Sequence, residues 1–585
     1  MHVQLAKTAG FCMGVRRALN ITLEVINQKK GKGELIFTYG PLIHNNQAVE
    51  LLRSRGVGII KDCSELLKYE GLSPCTVIIR SHGISPQVKK ELLEKRTNIN
   101  ICDATCPRVA KVQSIIKKYY DNNYDIIIIG DKGHAEVLGL SGFADNKGFV
   151  ISSIQEALEL PLLKKVCVVG QTTQDENFFL EITKILQSKY KEIEVFDTIC
   201  DSTSMHQTEL KELAHTSDAV IVVGGKNSAN TTRLADLSRE QGTPTFHIET
   251  ARELKYDMLK DFKSVAITAG ASTPNWIVQD VLEKVKDIQK QKEPFIKRFF
   301  LTLGQNILVS NVFISLGAAS LTYTTCILQN IRPRFLYMLL SFLYIFSMNV
   351  LNQFTEQDIS GFNYPGKKRF YERYRLHLLI SGVLAGIGSL ILAVDLGLLL
   401  FFMLALATLT GIIYQVKIIP DNWKFRYQRL KDIPASKDIF ISIAWCMVIV
   451  IFPLLGSKND FSYATVMGLI FTFTLVFVRY MLYGIKELQG DRMVGKETLP
   501  ILMGEKKSIF FIKSLCFFLF ASLLLFLING WILNINYYIL IIPSFLLIYI
   551  YYYKKIAVTR NLFEFIIDSF FMLSGIVSFL AQIKL

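Results

Sequence analysis

The first half of this chain lacks long apolar runs, and its N-terminus lacks the features of a secretory signal. Up to about Lys297 charged and apolar residues are mixed, whereas long apolar runs dominate afterwards. The first residues contain neither an apolar core of signal-peptide length nor a small-residue cleavage site. We therefore expect a cytoplasmic first half followed by a membrane half. A chain of 585 residues has room for several domains.

Disulfides are not expected in the first half. It holds seven of the ten cysteines, and in a reducing compartment these are free thiols or metal ligands. The net charge of +15 is compatible with nucleic acid, but many basic residues of the second half flank apolar runs. That placement favours the membrane surface, so no nucleic-acid partner is expected.

Short apolar, β-rich runs in the first half end in polar loops. Since they alternate with helical stretches, they predict parallel strands covered on both faces, with ligands at the carboxyl ends. The loops carry His, Ser, Thr, Asn and Gly, which suit an anionic ligand. The runs are 76–79, 125–129, 166–169, 219–223 and 264–267.

Three cysteines stand at equal spacing. Cys12 lies 94 residues before Cys106, and Cys200 lies 94 residues after it, each at a predicted helix start. The pattern predicts three similar lobes that meet at one shared site. Three thiols leave three alternatives: a zinc site completed by a histidine, an iron–sulfur cluster with one open iron, or simply buried cysteines.

Nine ordered motifs identify a resemblance over residues 1–281. This region resembles the IspH/LytB family of 4-hydroxy-3-methylbut-2-enyl diphosphate reductases, the family that makes isopentenyl and dimethylallyl diphosphates in the non-mevalonate pathway. The family often has serine where Ala229 stands. The motifs are 10–15, 40–45, 80–83, 103–107, 133–137, 171–173, 198–200, 226–231 and 268–272.

The resemblance implies an α/β trefoil of three lobes around a [4Fe-4S] cluster held by Cys12, Cys106 and Cys200. Glu136 would deliver a proton to the departing hydroxyl, helped by Thr172. An external donor of the ferredoxin or flavodoxin type would supply electrons. The residues implied to hold the substrate diphosphate are His44, His82, His134, Ser228, Asn230 and Ser272.

Residues 282–297 are predicted to be a linker, and 298–585 an all-α polytopic membrane domain of about nine transmembrane helices. Most flanking lysines and arginines lie in the loops 353–375, 416–436, 485–507 and 553–562, which places these loops in the cytoplasm with the first half. The apolar segments are 301–327, 334–352, 376–394, 396–415, 437–455, 462–484, 508–529, 535–552 and 563–582.

Two inner loops carry carboxylates beside basic residues, a pattern that can hold Mg²⁺ against a diphosphate. With the apolar segments they resemble the UbiA family of membrane prenyltransferases, which implies Mg²⁺ and diphosphate ligands at Asn352, Glu356, Glu487 and Asp491. Family aspartates are replaced by Glu356 and Ser360 in the first motif and by Glu487 in the second. Tyr414 and the loop 429–434 also resemble the family.

The leading hypothesis is a bifunctional isoprenoid enzyme. The first half would reduce 4-hydroxy-3-methylbut-2-enyl diphosphate, and the second would transfer a prenyl chain from a polyprenyl diphosphate to an acceptor in the membrane. An alternative makes the second half a catalytically weakened anchor or lipid-binding module. A third makes the first half a cluster-based sensor, which the retained Glu136 disfavours because sensing needs no proton donor.

Overall fold

The structure is a computed structural model of the whole chain. It describes residues 1–29, 33–69, 74–94, 99–355, 364–414, 433, 436–494, 498–556 and 560–583. These residues form two compact units, Met1–Lys292 and Glu293–Leu585.

The first unit contains twelve strands. They are β1 His2–Leu5, β2 Leu35–Tyr39, β3 Val57–Ile60, β4 Cys75–Ile79, β5 Ile99–Asp103, β6 Asp125–Ile129, β7 Phe149–Ile151, β8 Lys165–Gly170, β9 Glu192–Phe196, β10 Ala219–Val223, β11 Thr245–Ile248 and β12 Ser264–Ala269.

Helices cover these strands. The α-helices are α1 Met13–Lys29, α2 Asn46–Ser54, α3 Pro86–Glu94, α4 Pro107–Asp121, α5 Ala135–Ser141, α6 Ile154–Glu159, α7 Glu176–Lys189, α8 Asp201–Thr216, α9 Ala229–Glu240, α10 Tyr256–Leu259 and α11 Asn275–Gln291. Short 3₁₀ helices span Cys63–Tyr69, Gly142–Ala144 and Ala251–Glu253. Helix α11 continues through the first part of the predicted linker, with Leu282, Val285 and Ile288 buried.

The strands form three four-stranded sheets with the same topology. This confirms the predicted α/β architecture of three lobes. Their orders are β3-β2-β4-β5, β7-β6-β8-β9 and β11-β10-β12-β1. Every pairing is parallel. The third lobe is closed by the first strand of the chain, because β1 pairs with β12.

The five apolar runs found in the sequence are all inner strands. All residues of β4 and β10 are buried, as are all but the first of β6, β8 and β12. An inner parallel strand covered by helices on both faces must be apolar on both faces. By contrast, the edge strands β1, β5 and β9 contain no buried residue.

The three lobes are tied in a ring by polar contacts. Arg17 of α1 donates from Nη1 to the carbonyl oxygen of Thr105 at 2.8 Å, and Arg108 of α4 pairs with Asp201 of α8. Glu209 of α8 closes the ring by accepting hydrogen bonds from Lys7 N at 2.7 Å and Thr8 N at 2.9 Å. Each cysteine-bearing helix start is thus linked to the next.

The second unit is helical in the described residues. Its helices are Phe295–Val309, Val312–Leu328, Phe335–Thr355, Pro365–Arg373, Arg375–Leu396, Leu398–Ile413, Ser436–Cys446, Phe452–Gly456, Tyr463–Val494, Leu499–Met503, Glu505–Ile528, Ile541–Ile556 and Arg560–Ile583. A π-helical turn at Met447–Ile451 joins two of these into one apolar span, and a 3₁₀ helix covers Asn534–Leu540.

The predicted count of nine membrane spans is not confirmed. In the part of the chain that the structure describes, six helices are long and apolar enough to cross a membrane, or seven if a bent pair counts as one span. That pair replaces the single segment predicted at 301–327: Phe295–Val309 and Val312–Leu328 are bent by 66°. The segments predicted at 396–415 and 535–552 contain shorter apolar helices, Leu398–Ile413 and Tyr537–Tyr553.

A buried ion pair crosses the core of the second unit. Arg479 on helix Tyr463–Val494 donates from Nε to Asp568 Oδ1 at 2.7 Å and from Nη2 to Oδ2 at 3.3 Å. Its guanidinium lies 4.5 Å from the ring centroid of Tyr483. Because both charges are almost fully buried, each depends on its partner.

Candidate functional site

The three equally spaced cysteines occupy equivalent positions in the three lobes. Cys12 follows β1, Cys106 follows β5 and Cys200 follows β9, and each of these strands is the edge strand of its sheet. Each cysteine precedes a helix: α1, α4 or α8. The N-terminal ends of these helices carry partial positive charge, which attracts negatively charged groups.

Backbone hydrogen bonds fix each cysteine against the neighbouring inner strand. The amides of Cys12, Cys106 and Cys200 donate to the carbonyl oxygens of Ala271, Ser81 and Thr172, at 3.0, 2.9 and 2.9 Å. These acceptors lie in the loops that follow β12, β4 and β8. The position of each thiol is therefore coupled to a loop that carries predicted substrate-site residues.

Gly14 brings two of the thiols together. A Cβ on Gly14 would lie 2.6 Å from Cys106 Sγ, so glycine leaves room for that thiol, and Cys12 Sγ lies at an ordinary contact distance of 3.9 Å from the same position. All three cysteines are free thiols. Burial raises the pKa of Cys12, and the nearby Cys106 and Cys200 add to the shift. Three converging thiols at helix starts fit a cluster with three protein ligands and one open iron.

Three histidines follow inner strands and converge on the same place. His44, His82 and His134 follow β2, β4 and β6, with ring centroids 5.0 to 5.9 Å apart. The buried atoms His44 Nε2 and His82 Nδ1 have no hydrogen-bond partner in the structure. One nitrogen from each ring lies within 4.8 Å of the others, a spacing that can hold a metal ion as well as an anion.

The pKa of each of these histidines is lowered, which favours the neutral ring. Burial and the nearby His44 lower the pKa of His134 to about 4. Burial lowers the pKa of His82 well below its usual value, helped by the two other rings and Arg80, and burial and Arg80 also lower that of His44. His134 Nδ1 accepts a hydrogen bond from Glu136 N at 3.2 Å, which leaves Nε2–H as its donor.

The third lobe supplies hydroxyl and amide groups. Ser228 caps helix α9, and its Oγ lies 3.3 Å from Ser272 Oγ. Ser272 also donates to the carbonyl oxygen of His44 at 3.4 Å, which ties the third lobe to the first histidine loop. The buried Asn230 Nδ2 has no hydrogen-bond partner. A helix N-terminus with two hydroxyls and an unpartnered amide is suited to bind phosphate oxygens.

Glu136 and Thr172 form a buried pair. Glu136, in the first turn of α5, is 1% exposed. Its Oε1 accepts from Thr172 N at 2.7 Å, and its Oε2 accepts from Thr172 Oγ1 at 2.9 Å. Burial raises the pKa of Glu136 to about 7, although both hydrogen bonds lower it. A carboxyl group with this pKa can give up a proton near neutral pH.

One cavity joins all of these groups. Every residue predicted for the reductase half lines it, although the residues come from three lobes: Cys12, His44, His82, Cys106, His134, Glu136, Thr172, Cys200, Ser228, Asn230 and Ser272.

The sequence interpretation gave no role to Arg80. Its side chain crosses over Gly40, where an added Cβ would lie 2.4 Å from Nη1, and its buried Nε has no hydrogen-bond partner. The cation lowers the pKa of all three histidines. A guanidinium beside an anion site adds attraction for phosphate. Its place as the first residue of the 80–83 motif was the available signal.

The predicted membrane-site residues are only partly described. Glu487 and Asp491 lie one helical turn apart on helix Tyr463–Val494 and so share one face of it. Asp491 is 2% exposed, while Glu487 and Asn352 are half-buried. Asn352 lies in the last turn of helix Phe335–Thr355. Glu356, Ser360 and residues 429–432 lie outside the described residues.

Comparison with known proteins gives the family of the first half. Residues 3–286 match the model of the LytB protein family. The 4-hydroxy-3-methylbut-2-enyl diphosphate reductase of Caldanaerobacter subterraneus subsp. tengcongensis is 41% identical over 295 residues, which cover 50% of this chain and 99% of the relative. The chain belongs to the LytB family. The Clostridium perfringens reductase is 40% identical over 291 residues, which cover 49% of this chain and 99% of the relative.

The LytB region is joined to a second family region. Residues 312–574 match the model of the UbiA prenyltransferase family. Together with the long apolar helices, this indicates a multi-pass membrane protein.

Among solved structures, the chain is similar to a Plasmodium falciparum E-1-hydroxy-2-methyl-but-2-enyl-4-diphosphate reductase, at 30% identity and a TM-score of 0.45. The match covers 48% of this chain and 87% of that one. A UbiA homolog from Archaeoglobus fulgidus bound to DMAPP and Mg²⁺ matches at 13% identity and a TM-score of 0.35, over 48% of this chain and 99% of that one.

Proposed function

We propose that the LytB unit reduces 4-hydroxy-3-methylbut-2-enyl diphosphate to isopentenyl and dimethylallyl diphosphates. The observation that carries this proposal is the buried Glu136, with a pKa of about 7, in the cavity that also holds three thiols and three histidines. The reaction needs three elements: thiols that can hold an electron-transferring cluster, a proton donor and a site for the anionic diphosphate. A sensor would need only the first.

The reaction consumes two electrons and two protons. The C–O bond to the hydroxyl breaks, the oxygen leaves as water, and the carbon skeleton gains a hydrogen. Cys12, Cys106 and Cys200 would hold a [4Fe-4S] cluster, which would supply electrons and Lewis-acid chemistry when bound. An external donor of the ferredoxin or flavodoxin type supplies electrons to the protein.

Glu136 is the proton donor in this proposal. Its protonated carboxyl gives a proton to the departing oxygen, which then leaves as water rather than hydroxide. Thr172 donates to both carboxylate oxygens, so it keeps the side chain in one orientation and stabilises the charge formed after transfer. Burial of the pair excludes bulk water from this proton transfer.

The diphosphate binds between the histidine and serine loops. His44, His82 and His134 donate hydrogen bonds to it, and the charge of the bound anion favours their protonated forms. Ser228, Asn230 and Ser272 bind its other side, next to the start of α9. Ala229 lacks the hydroxyl that the family often has at this position, and the Ser228 hydroxyl and the Asn230 amide on either side of it provide the remaining contacts.

An anaerobic assay of the full chain tests the reductase. Purified protein with iron and sulfide incorporated is mixed with the substrate and a reduced one-electron donor, and donor oxidation and both products are followed. We expect substrate-dependent oxidation that is lost in Cys106→Ser and kept in Cys102→Ser, because Cys102 does not line the cavity. Absence of turnover with a fully loaded site would refute the proposal.

We propose that the UbiA region transfers a prenyl chain from a polyprenyl diphosphate to a membrane acceptor, with Mg²⁺ bound by Glu487, Asp491, Asn352 and Glu356. The shared helix face of Glu487 and Asp491 supports this proposal. Their carboxylates can bind Mg²⁺, which neutralises the diphosphate leaving group. The competing role is an anchor or lipid-binding module without transferase activity.

Asp491→Asn distinguishes the two roles. The full chain is expressed in a host that lacks its own aromatic prenyltransferase, and its lipids are analysed by mass spectrometry. A transferase loses its prenylated product in Asp491→Asn and keeps it in Asp460→Asn, a variant of an exposed loop residue. If lipid extracts from cells with wild type, with either variant and without the protein are identical, the anchor or lipid-binding role is supported.

The division into a reductase at 1–281, a linker at 282–297 and a transferase at 298–585 stays a prediction, as does a cytoplasmic reductase. Labelling of Lys458→Cys and Lys506→Cys with a thiol reagent in intact cells tests the orientation of the second unit in the membrane. The proposal expects Lys506, in a predicted inner loop, to be shielded from an impermeant reagent and Lys458 to react with it.

A further inference from the structure

Helix Phe295–Val309 is an unusual element of the second unit because its first ten residues are all exposed. Phe295, Phe299 and Leu303 follow one another at the i, i+4 spacing, and Ile296 and Phe300 lie beside them. Phe295 is 73% exposed and Phe300 is 65% exposed. A contiguous apolar face of this kind marks an interaction surface.

The helix is too short and too strongly bent to act as a straight membrane span. Its 15 residues extend about 22 Å, whereas a span needs about 20 residues. A bend of 66° separates it from Val312–Leu328. Polar residues Gln305 and Asn306 follow Gly304 in its second half.

The bend is built into the fold at Asn311. This residue has φ +67°, a left-handed conformation that ends one helix before the next begins. Its buried side chain donates from Nδ2 to Tyr371 OH at 2.7 Å and accepts from Lys367 Nζ at 3.2 Å. Both partners belong to helix Pro365–Arg373, so two short helices meet at the start of the span Val312–Leu328.

Both short helices combine aromatic and basic residues. Phe295–Val309 has Lys297 and Arg298 and no acidic residue, although Lys297 pairs with Glu293 at 2.8 Å. The exposed guanidinium of Arg298 lies 5.9 Å from the ring centroid of Phe295. Helix Pro365–Arg373 contributes four more cations and one acid: Lys367, Lys368, Arg369, Arg373 and Glu372. Apolar faces with flanking cations match a membrane surface with anionic headgroups.

We propose that Phe295–Val309 lies in the plane of the membrane surface, where it binds anionic phospholipids together with helix Pro365–Arg373. The apolar face of Phe295, Ile296, Phe299, Phe300 and Leu303 enters the boundary between headgroups and acyl chains. Arg298 faces the phosphates.

Depth measurements on the full chain in lipid nanodiscs test the geometry. An unnatural ketone-bearing amino acid carries a nitroxide at position 295, 299 or 303, which avoids the ten native cysteines. Oxygen and nickel-chelate accessibilities then give each depth. We expect equal depths about 5–10 Å inside the phosphates. Depths that increase along the helix by about 1.5 Å per residue, or labels shielded from both reagents by protein, would overturn the proposal.

Varying the charge of the lipids tests whether the helix binds anionic phospholipids. Nanodiscs of phosphatidylcholine alone are compared with nanodiscs that also contain phosphatidylglycerol. We expect the ratio of oxygen to nickel accessibility at position 299 to rise severalfold with phosphatidylglycerol, and Arg298→Glu to abolish that rise. The matched control is Arg332→Glu, an exposed arginine beyond the other end of Val312–Leu328. No response to phosphatidylglycerol, or equal effects of the two variants, would overturn the proposal.

Discussion

Thr172 donates two hydrogen bonds to Glu136, one to each carboxylate oxygen, at 2.7 and 2.9 Å. The two residues come from different strand ends, because Glu136 follows β6 and Thr172 follows β8. Since β6 and β8 are paired neighbours, the sheet itself holds donor and acceptor together. The carbonyl oxygen of the same threonine accepts a hydrogen bond from the amide of Cys200, so the loop after β8 contacts both Glu136 and the Cys200 backbone.

The protonation of Glu136 should set the pH dependence of turnover. With a pKa of about 7, the donor is protonated below pH 7 and ionised above it, so turnover should fall about tenfold per pH unit on the alkaline side. Glu136→Gln should reduce turnover by about 10²–10⁴-fold at every pH and leave substrate binding nearly unchanged. Glu159→Gln, an exposed change in the same lobe, serves as the control. A pH profile that Glu136→Gln leaves in place would contradict the assignment.

The same pKa predicts a pH-dependent stability. Because the folded-state pKa of Glu136 is raised, its contribution is fully present below about pH 4.5 and is lost as the pH rises through 7. A shift from 4.5 to about 7 corresponds to a cost of about 3 kcal/mol in alkaline solution. In cluster-free protein, Glu136→Gln should therefore unfold at a higher temperature than wild type at pH 8.5, with the difference shrinking towards pH 4.5. Scanning calorimetry of the full chain in detergent measures the two unfolding temperatures at each pH.

The histidine cluster should bind diphosphate more tightly at lower pH. Burial and the neighbouring rings lower the pKa of His82 and His134, whereas a bound polyanion favours protonated rings, so we expect binding to take up protons. Calorimetry with pyrophosphate in buffers of different ionisation enthalpy should show proton uptake and rising affinity from pH 8 to pH 6. His82→Asn should weaken binding and reduce the uptake, whereas His215→Asn at an exposed position should change neither. Equal uptake in both variants would rule out the cluster as its source.

Gly14→Ala should disrupt the cysteine site. The new Cβ would lie 2.6 Å from Cys106 Sγ and 3.1 Å from its Cβ, which forces the thiol to move. Iron and acid-labile sulfide per purified chain should fall severalfold. Gly139→Ala is the matched control, because its new Cβ would meet atoms no closer than 3.6 Å. Full iron content in Gly14→Ala would show that the thiols need not approach so closely.

The buried Arg479–Asp568 pair predicts a large coupling energy. Removing either charge leaves the other buried and unpaired, at a cost of about 3–5 kcal/mol. Arg479→Met with Asp568→Leu removes both charges, so the double variant should be more stable than either single variant. Thermal unfolding of wild type, the two single variants and the double variant in detergent gives the coupling energy by a double-mutant cycle. Additive effects would mean that the two residues act independently.

Sequence patterns predicted five of the six inner strands of the first unit, all except β2, but not its edges. The inner strands are apolar on both faces because helices cover both, and that pattern is visible in one dimension. The edge strands β1, β5 and β9 have no buried residue, so their composition resembles that of a loop. Yet these edge strands lead to the three cysteines, which the sequence revealed through their equal spacing, their helix-start signals and the motifs around them.

The site residues were predictable one by one, whereas their contacts were not. Short motifs marked each loop, but the hydrogen bonds of Glu136 with Thr172 and the approach of Gly14 to two thiols depend on packing between strands and lobes. In the second unit, apolar composition predicted helices correctly. It could not reveal that Asn311 breaks one apolar segment into two helices, because a positive φ leaves no hydrophobic signature.

The pairing of β1 with β12 also determines the order in which the chain can fold. His2 is in register with Ser264, so the third lobe stays open until almost the whole first unit has been synthesised. All three cysteines leave the ribosome well before their pocket can close. Helix Val312–Leu328 follows β12 by only about forty residues, which take about 2–8 s at 5–20 residues per second. This apolar helix is therefore synthesised within seconds of the strand that completes the third lobe.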